Sequence, residues 1–417
     1  MVASTDIKFY VHSNNNAPQL QNAYGSMIGV LDACLVNGFG SQAVATLTAS
    51  GTTVTAAFGS AHNFMQYQVI KIAGATQTEY NGEHRILTVP NATSVTFQLA
   101  STPSVTTATG SITASLPSLG WEKPFSSTKV NGGGKAAYRS KNTLLPSRPF
   151  LRVVDELDPA YTATYAKFAK VGIVEDMTDI NTMLGVQAPY DSAAPTKNWV
   201  GTGSGTTAIN GWAKWYYSMF NAASGNNVEN STPAAGNRQW ILVGSGDYFY
   251  FFPTTAVSST DALTYGFGNF KTLLNTDGSN NFLSATYNYG SVSSSYFRST
   301  YTALSGNQST QKLLLQRAYN QSSAYKESSN ISLGVGSYYS GLSNYIGQYS
   351  LTNICPLLPV FINESVLRGE IPNFYYIFQQ KPYANKTVIE NGGTIFMAID
   401  IAGSSAVGQV AVKIGDL

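Results

Sequence analysis

Hydrophobic positions along the chain change period several times, and each change marks a different kind of element. Ile7 to His12 reads as a short strand. From Leu20 the apolar residues recur as Leu20, Ala23, Met27, Ile28, Val30, Leu31, Cys34 and Leu35. Steps of three and four predict an amphipathic helix over 20–36. Asn37-Gly38-Phe39-Gly40 follows, and these residue types tolerate the left-handed backbone that ends a helix. The segment therefore reads as a cap and turn, not as a binding loop.

Between 43 and 116 the period becomes two. Ala43–Thr48, Thr53–Phe58, Gln68–Ile72, His84–Val89, Ser94–Leu99 and Ser111–Ala114 alternate like strands, punctuated by Gly51, Gly74, Asn81-Gly82 and Pro90-Asn91. They predict a small β-sandwich or barrel. Different chemistry resumes at Gly120-Trp121-Glu122-Lys123-Pro124-Phe125. Residues 43–116 thus read as a module inserted into a mixed host domain made of 1–42 and 117–186. Such a module is expected to project outward and to tolerate deletion.

Further strands are expected at Phe150–Asp155 and Lys170–Met177, and a short helix over Gly211–Ala222. A hairpin is expected from Gln239–Gly244 and Asp247–Phe252, and four more strands at Leu358–Ile362, Phe374–Phe378, Thr394–Ile399 and Val410–Ile414. The run Tyr248–Phe252 carries aromatics on both faces of its strand, so cover on both sides is expected. Residues 187–417 read as a β-rich C-terminal domain, and the fold class as mainly β (α+β). No tandem repeat or heptad pattern is visible, which argues against a fibre shaft.

Composition sharpens this picture. Charged residues make up only 11% of the chain, against roughly a quarter in an ordinary soluble protein, while hydrophobic content is 43%. Ser, Thr, Asn, Gly and Gln take the place of the missing charge. Together with 26 Tyr, 20 Phe and 5 Trp, this suits a chain that hides surface in contacts with other chains. The net charge of +2 comes with no basic run, so no nucleic-acid partner is expected. No apolar stretch approaches a membrane span, and no signal peptide is evident at the N-terminus. Cys34 and Cys355 lie far apart in apolar settings and read as buried free thiols.

Candidate chemistry is sparse. Asp155-Glu156-Asp158 and Glu175-Asp176-Asp179 are the acidic groups a glycosidase would need, and both abut strand ends, where Asp commonly caps a turn. They read as solvated turn residues. His12, His62 and His84 are too few for a metal site, and no GxSxG elbow accompanies them. Gly201-Thr202-Gly203-Ser204-Gly205 lacks the Lys of a phosphate loop. No catalytic residue, cofactor or metal is expected. The remaining candidates are aromatic: Trp199, Trp212, Trp215, Tyr216, Tyr217, Tyr338 and Tyr339, read first as core or subunit contacts and second as a sugar-stacking platform.

Several segments resemble a family of tailed-bacteriophage virion proteins. Ile28–Gly40, Gly120–Phe125, Ala137-Tyr138-Arg139-Ser140, Arg152–Asp155 and Met177–Asn181 occur in that order, interrupted by the module. The module, through Ile72–Thr76 and Tyr80–Glu83, is similar to Ig-like modules of tail proteins. Leu367–Asn373 also looks like the family. The resemblance covers residues 1–185 well, whereas 190–350 departs by being longer and rich in Ser and Tyr. It implies a non-enzymatic structural component of a tail, baseplate or tail tip, made in the host cytoplasm and located in the virion. Its partners would be copies of itself and other tail proteins. The alternatives are a receptor-binding tail protein gripping host-surface glycan, and a capsid decoration or head-fibre protein; a depolymerase would need carboxylates brought together by folding.

Overall fold

The computed structural model describes residues 2–130, 132–204, 210–221, 229, 231–287, 302–305, 312–331, 357–377, 381–402 and 407–417. The chain is mainly β, 49% strand against 4% helix. Among the described residues the strands form three antiparallel sheets.

The helical segment is shorter than its apolar spacing suggests. It runs over Ser26–Leu31 and continues as a wider turn over Asp32–Asn37. Leu20 lies outside it, bridged to Arg238 instead. Met27, Val30, Leu31, Cys34 and Leu35 are buried, so the apolar stripe still faces the core. Gly38, at φ 72° and ψ 173°, closes the segment with a positive φ that favours glycine, but not in the left-handed helical conformation expected of the cap.

Residues 39–116 supply the seven strands of one sheet: Phe39–Ser50, Thr53–Phe58, Val69–Ala75, Gly82–Arg85, Thr88–Asn91, Ser94–Gln98 and Gly110–Leu116. The first is shared, pairing early residues with Gly110–Leu116 and later ones with Thr53–Phe58. The expected strand 84–89 is in fact two. The chain leaves the half paired with Val69–Ala75 at Arg85 and joins the other half at Thr88. Leu47, Val54, Ile70, Ile72, Tyr80, Ile86, Val95 and Phe97 fill the interior.

The module is docked onto the rest of the chain by polar contacts and is not joined to it by its two linkers alone. Asn14 Nδ2 donates to Asn63 O (2.8 Å) and to Gln68 Oε1 (3.0 Å), and Gln68 Nε2 donates to Phe9 O (3.1 Å). Lys8 pairs with Glu83 at 3.0 Å. Arg85 reaches out of the module into the strands beneath it. These contacts desolvate polar groups on both sides of the junction, so the two parts are built to meet.

A second sheet runs in the order Thr286–Tyr287, Ala213–Ser218, Lys167–Met177, Phe150–Asp155, Gly134–Ser140, Trp121–Thr128, with Met183–Ala188 also on Lys167–Met177. Ala213–Ser218 is thus a strand where a helix is expected over 211–222. All six of its residues are buried, so no period-two pattern is legible, while Trp and Tyr favour a pleated, covered strand. The third sheet has thirteen strands, from Lys8–Val11 through the hairpin Trp240–Gly244 and Tyr248–Pro253 to the C-terminal strands. Tyr248–Pro253 is covered on both faces, as its composition predicts. Phe249 and Phe251 pack with Trp121 and Trp215, while Tyr248, Tyr250 and Phe252 pack with Phe282 and Phe374. Strand pairing crosses residue 186 in both directions, since Lys8–Val11 joins the long sheet and Ala213–Ser218 the second. Among the described residues no helix is long and apolar enough to cross a membrane.

Candidate functional site

The candidate aromatics are drawn inward. Trp215, Tyr216 and Tyr217 are fully buried, and Trp199 and Trp212 nearly so. Trp215 stacks on Tyr265 with ring centroids 5.4 Å apart and donates from Nε1 to Ser284 O at 3.0 Å. The Tyr217 hydroxyl donates to Asp155 Oδ1 at 2.6 Å, and the Tyr216 hydroxyl donates to Glu229. Strand alternation sends Tyr216 and its two neighbours to opposite faces, yet both faces are filled. Trp212, Trp215, Tyr216 and Tyr217 present no stacking platform to solvent, so the glycan-platform reading of these four is corrected by their burial. Tyr338 and Tyr339 lie outside the described residues, as does Cys355; Cys34 is buried, and burial pushes its thiol up.

The acidic groups are also spoken for. Asp155, fully buried, accepts from the backbone N–H of Met27 (3.0 Å) and Ile28 (3.3 Å) through Oδ2. It serves the first turn of the helix across a large sequence separation. Burial pushes its carboxyl up to about 6, against the bonds it accepts. Asp158 is buried too, paired with Lys170 at 2.5 Å and accepting from Gly201 N–H at 2.9 Å. The expectation of solvated turn residues therefore fails for these two, because each satisfies buried donors. It holds for exposed Asp179, which accepts from Asn181 N–H and Thr182 N–H in a turn. Glu175 receives Arg317 (Nε to Oε1, 3.0 Å) beside a groove of about 670 Å³. Among the described residues, no group of His, Cys, Asp and Glu is arranged to hold a metal ion. His62 accepts from Phe64 N–H at 2.9 Å and stacks on Phe64. His84 stacks on Phe97 with centroids 4.3 Å apart.

A concave site lies beside these structural roles, a pocket of about 330 Å³ on the second sheet. Val154 pairs directly with Lys135 on one neighbouring strand and with Lys170 on the other. Directly paired positions share a face, and Arg152, two residues earlier, falls on it too. Arg152 is 3% exposed. Its Nε donates to Ile180 O at 3.0 Å and its guanidinium lies 4.5 Å from the centre of the Trp199 ring. Nη1 is buried and has no hydrogen-bond partner among the described residues. Burial lowers the guanidinium to about 10, which leaves it charged at neutral pH. Lys129 and Lys135 stand at the rim, the first 3.8 Å from Glu156 and the second 2.8 Å from Asn181 Oδ1. Burial alone would raise Asp158, but the Lys170 ammonium and the backbone N–H groups of Ala160 and Gly201 together hold it below the usual carboxylate range. Trp199 is a wall of this pocket rather than a platform. Arg152 covers one side, and a side chain at Gly172 would meet its ring at 2.6 Å on another.

Of the aromatics singled out in the sequence, only Trp199 lines this site. Arg152 and Lys170 escape motif reading because their partners come from separate strands. The signal available is a lone cation inside an apolar strand, as in Leu151-Arg152-Val153 and Ala169-Lys170-Val171. Compared with known proteins, the sequence matches no family model and no curated protein.

Proposed function

We propose that the chain is a non-catalytic structural subunit of a tailed-phage particle, placed in the tail, baseplate or tail tip. It works by symmetric contact with copies of itself and with other tail proteins. The observation that supports this most is where the few charges go. The sequence holds 24 basic and 22 acidic residues. Arg85, Arg152, Asp155, Asp158, Lys167, Lys170, Lys214, Glu229, Arg238, Asp277, Arg368 and Asp400 are all buried. Charged side chains are rarely buried without a partner, and several here form internal pairs such as Lys214–Glu229 at 2.8 Å. A surface already poor in charge is thereby depleted further. Neutral polar surface suits repeated protein contacts and is unfavourable for a free, dilute monomer. The ordered resemblance over residues 28–181 points to the particle.

Mass spectrometry of purified phage particles, with immunogold labelling by antiserum against this chain, tests the proposal. Stoichiometric peptides and label at one fixed place on the tail are expected. Absence of the chain from purified particles overturns the reading. The second reading, a receptor-binding tail protein, draws on the Arg152 pocket.

A further inference from the structure

We propose that the pocket around Arg152 binds one acidic sugar residue, its carboxylate on the guanidinium and its hydroxyls on the pocket acceptors. Three observations favour this ligand class. Arg152 is held in place by Ile180 O and by the Trp199 ring and lines a site of about 330 Å³, its Nη1 buried without a partner among the described residues. A guanidinium fixed in this way is preorganised, so a carboxylate that binds it loses little to ordering. Four cations, Lys129, Lys135, Arg152 and Lys170, outnumber the carboxylates Glu156 and Asp158, which favours an anion. Those same carboxylates repel a doubly charged group such as phosphate, but with Asn181 they offer acceptors to sugar hydroxyls. Val154, Met183, Pro159 and Trp199 supply apolar wall for the C–H face of a ring.

The assembly role does not depend on this site, so either can fail alone. The test is calorimetric or NMR titration of the full chain at low ionic strength with glucuronate and galacturonate, against galactose, acetate and inorganic phosphate. Saturable uronate binding is expected, weakened by added salt, with galactose not bound and acetate and phosphate weaker than the uronates. Arg152→Gln is expected to weaken uronate binding by about tenfold or more, the effect of removing a charged hydrogen bond. Lys135→Ala, at the partly exposed rim, is expected to weaken it by a few fold and to leave the fold intact by circular dichroism. No saturable uronate binding, phosphate or acetate binding as tightly, or full affinity in a folded Arg152→Gln overturns the proposal. Should Arg152→Gln not fold, unchanged affinity in Lys135→Ala overturns it.

Discussion

Arg85 Nη1 donates to the backbone carbonyl of Ile414 at 2.9 Å, joining the inserted module to strand Val407–Asp416 of the long sheet. The same guanidinium donates to Ser4 O (2.7 Å), Ile7 O (2.9 Å) and Tyr67 O (2.7 Å), so one side chain ties three parts of the chain. All four acceptors are neutral carbonyls. Burial lowers its pKa to about 10, still well above neutrality. Arg85→Met removes a charge but orphans four carbonyls. It is expected to cost about 3 kcal/mol or more, given ~1.5–3 kcal/mol for a hydrogen bond to a charged group. Urea unfolding checks this, and limited proteolysis is expected to open the 59–68 and 99–110 loops of the variant first.

Gly415 tests the same junction from the other side. A Cβ there would fall 2.3 Å from Arg85 Cζ, so Gly415→Ala must displace the guanidinium. The variant is expected to lose stability like Arg85→Met, and the double variant to lose little more than either alone. Additive losses in a double-mutant cycle contradict the contact.

Asp155 gives a pH dependence. Its carboxyl is raised from 3.8 to about 6 in the folded chain, so between those values the folded protein keeps a proton that the unfolded chain has released. Stability from this group is therefore highest at low pH, falls through that window and is flat above it. The drop is about 3 kcal/mol, at ~1.4 kcal/mol per pKa unit. His62 and His84 act in the opposite sense. Burial holds both below 6.5, so their contribution is complete above 6.5 and is lost as the pH falls toward their folded values. Asp155→Asn removes only the first effect. The stability difference between wild type and Asp155→Asn is expected to change by that amount between pH 4 and 6; parallel curves contradict the buried carboxyl.

How much of this was readable in advance follows from burial. The module strands alternate, as in Thr53–Phe58 with its buried Val54, Ala56 and Phe58, and period two makes them legible. Phe39–Ser50 begins earlier than its pattern suggests because Phe39–Ala43 pairs with Gly110–Leu116, a long-range partner no local pattern shows. Ala213–Ser218 looks helical or irregular because both faces are covered and polar positions vanish. The pocket was hidden for a related reason. Lys135, Arg152 and Lys170 meet only through strand register, and Trp199 was legible only as an aromatic without a place.

Trp215→Ala separates core from binding surface. With Trp215 buried against Tyr265 and Phe249, its truncation is expected to cost about 3–5 kcal/mol, read as a lower denaturation midpoint. A stable Trp215→Ala that selectively loses ligand binding contradicts the core assignment.

Arg368 is fully buried against Asp277 (Nε to Oδ2, 2.7 Å) and Glu364 (Nη1 to Oε2, 2.9 Å). Arg368→Met leaves two buried carboxylates without their cation and is expected to cost about 3–5 kcal/mol at neutral pH. Burial alone would raise Asp277, and Arg368 reverses this and holds it below its ordinary value. Without Arg368, burial leaves the Asp277 carboxyl to take up a proton readily, so the penalty is expected to shrink toward pH 4. A penalty that does not shrink on acidification contradicts the ion-pair account.

The chain is proposed as a repeated structural part of a phage tail. A cryo-EM reconstruction of the intact particle tests it most directly. Tail density that fits this chain in several symmetric copies, with its charge-poor surface buried between neighbours, is expected. A reconstruction in which every tail, baseplate and tip density is filled by other chains would contradict it.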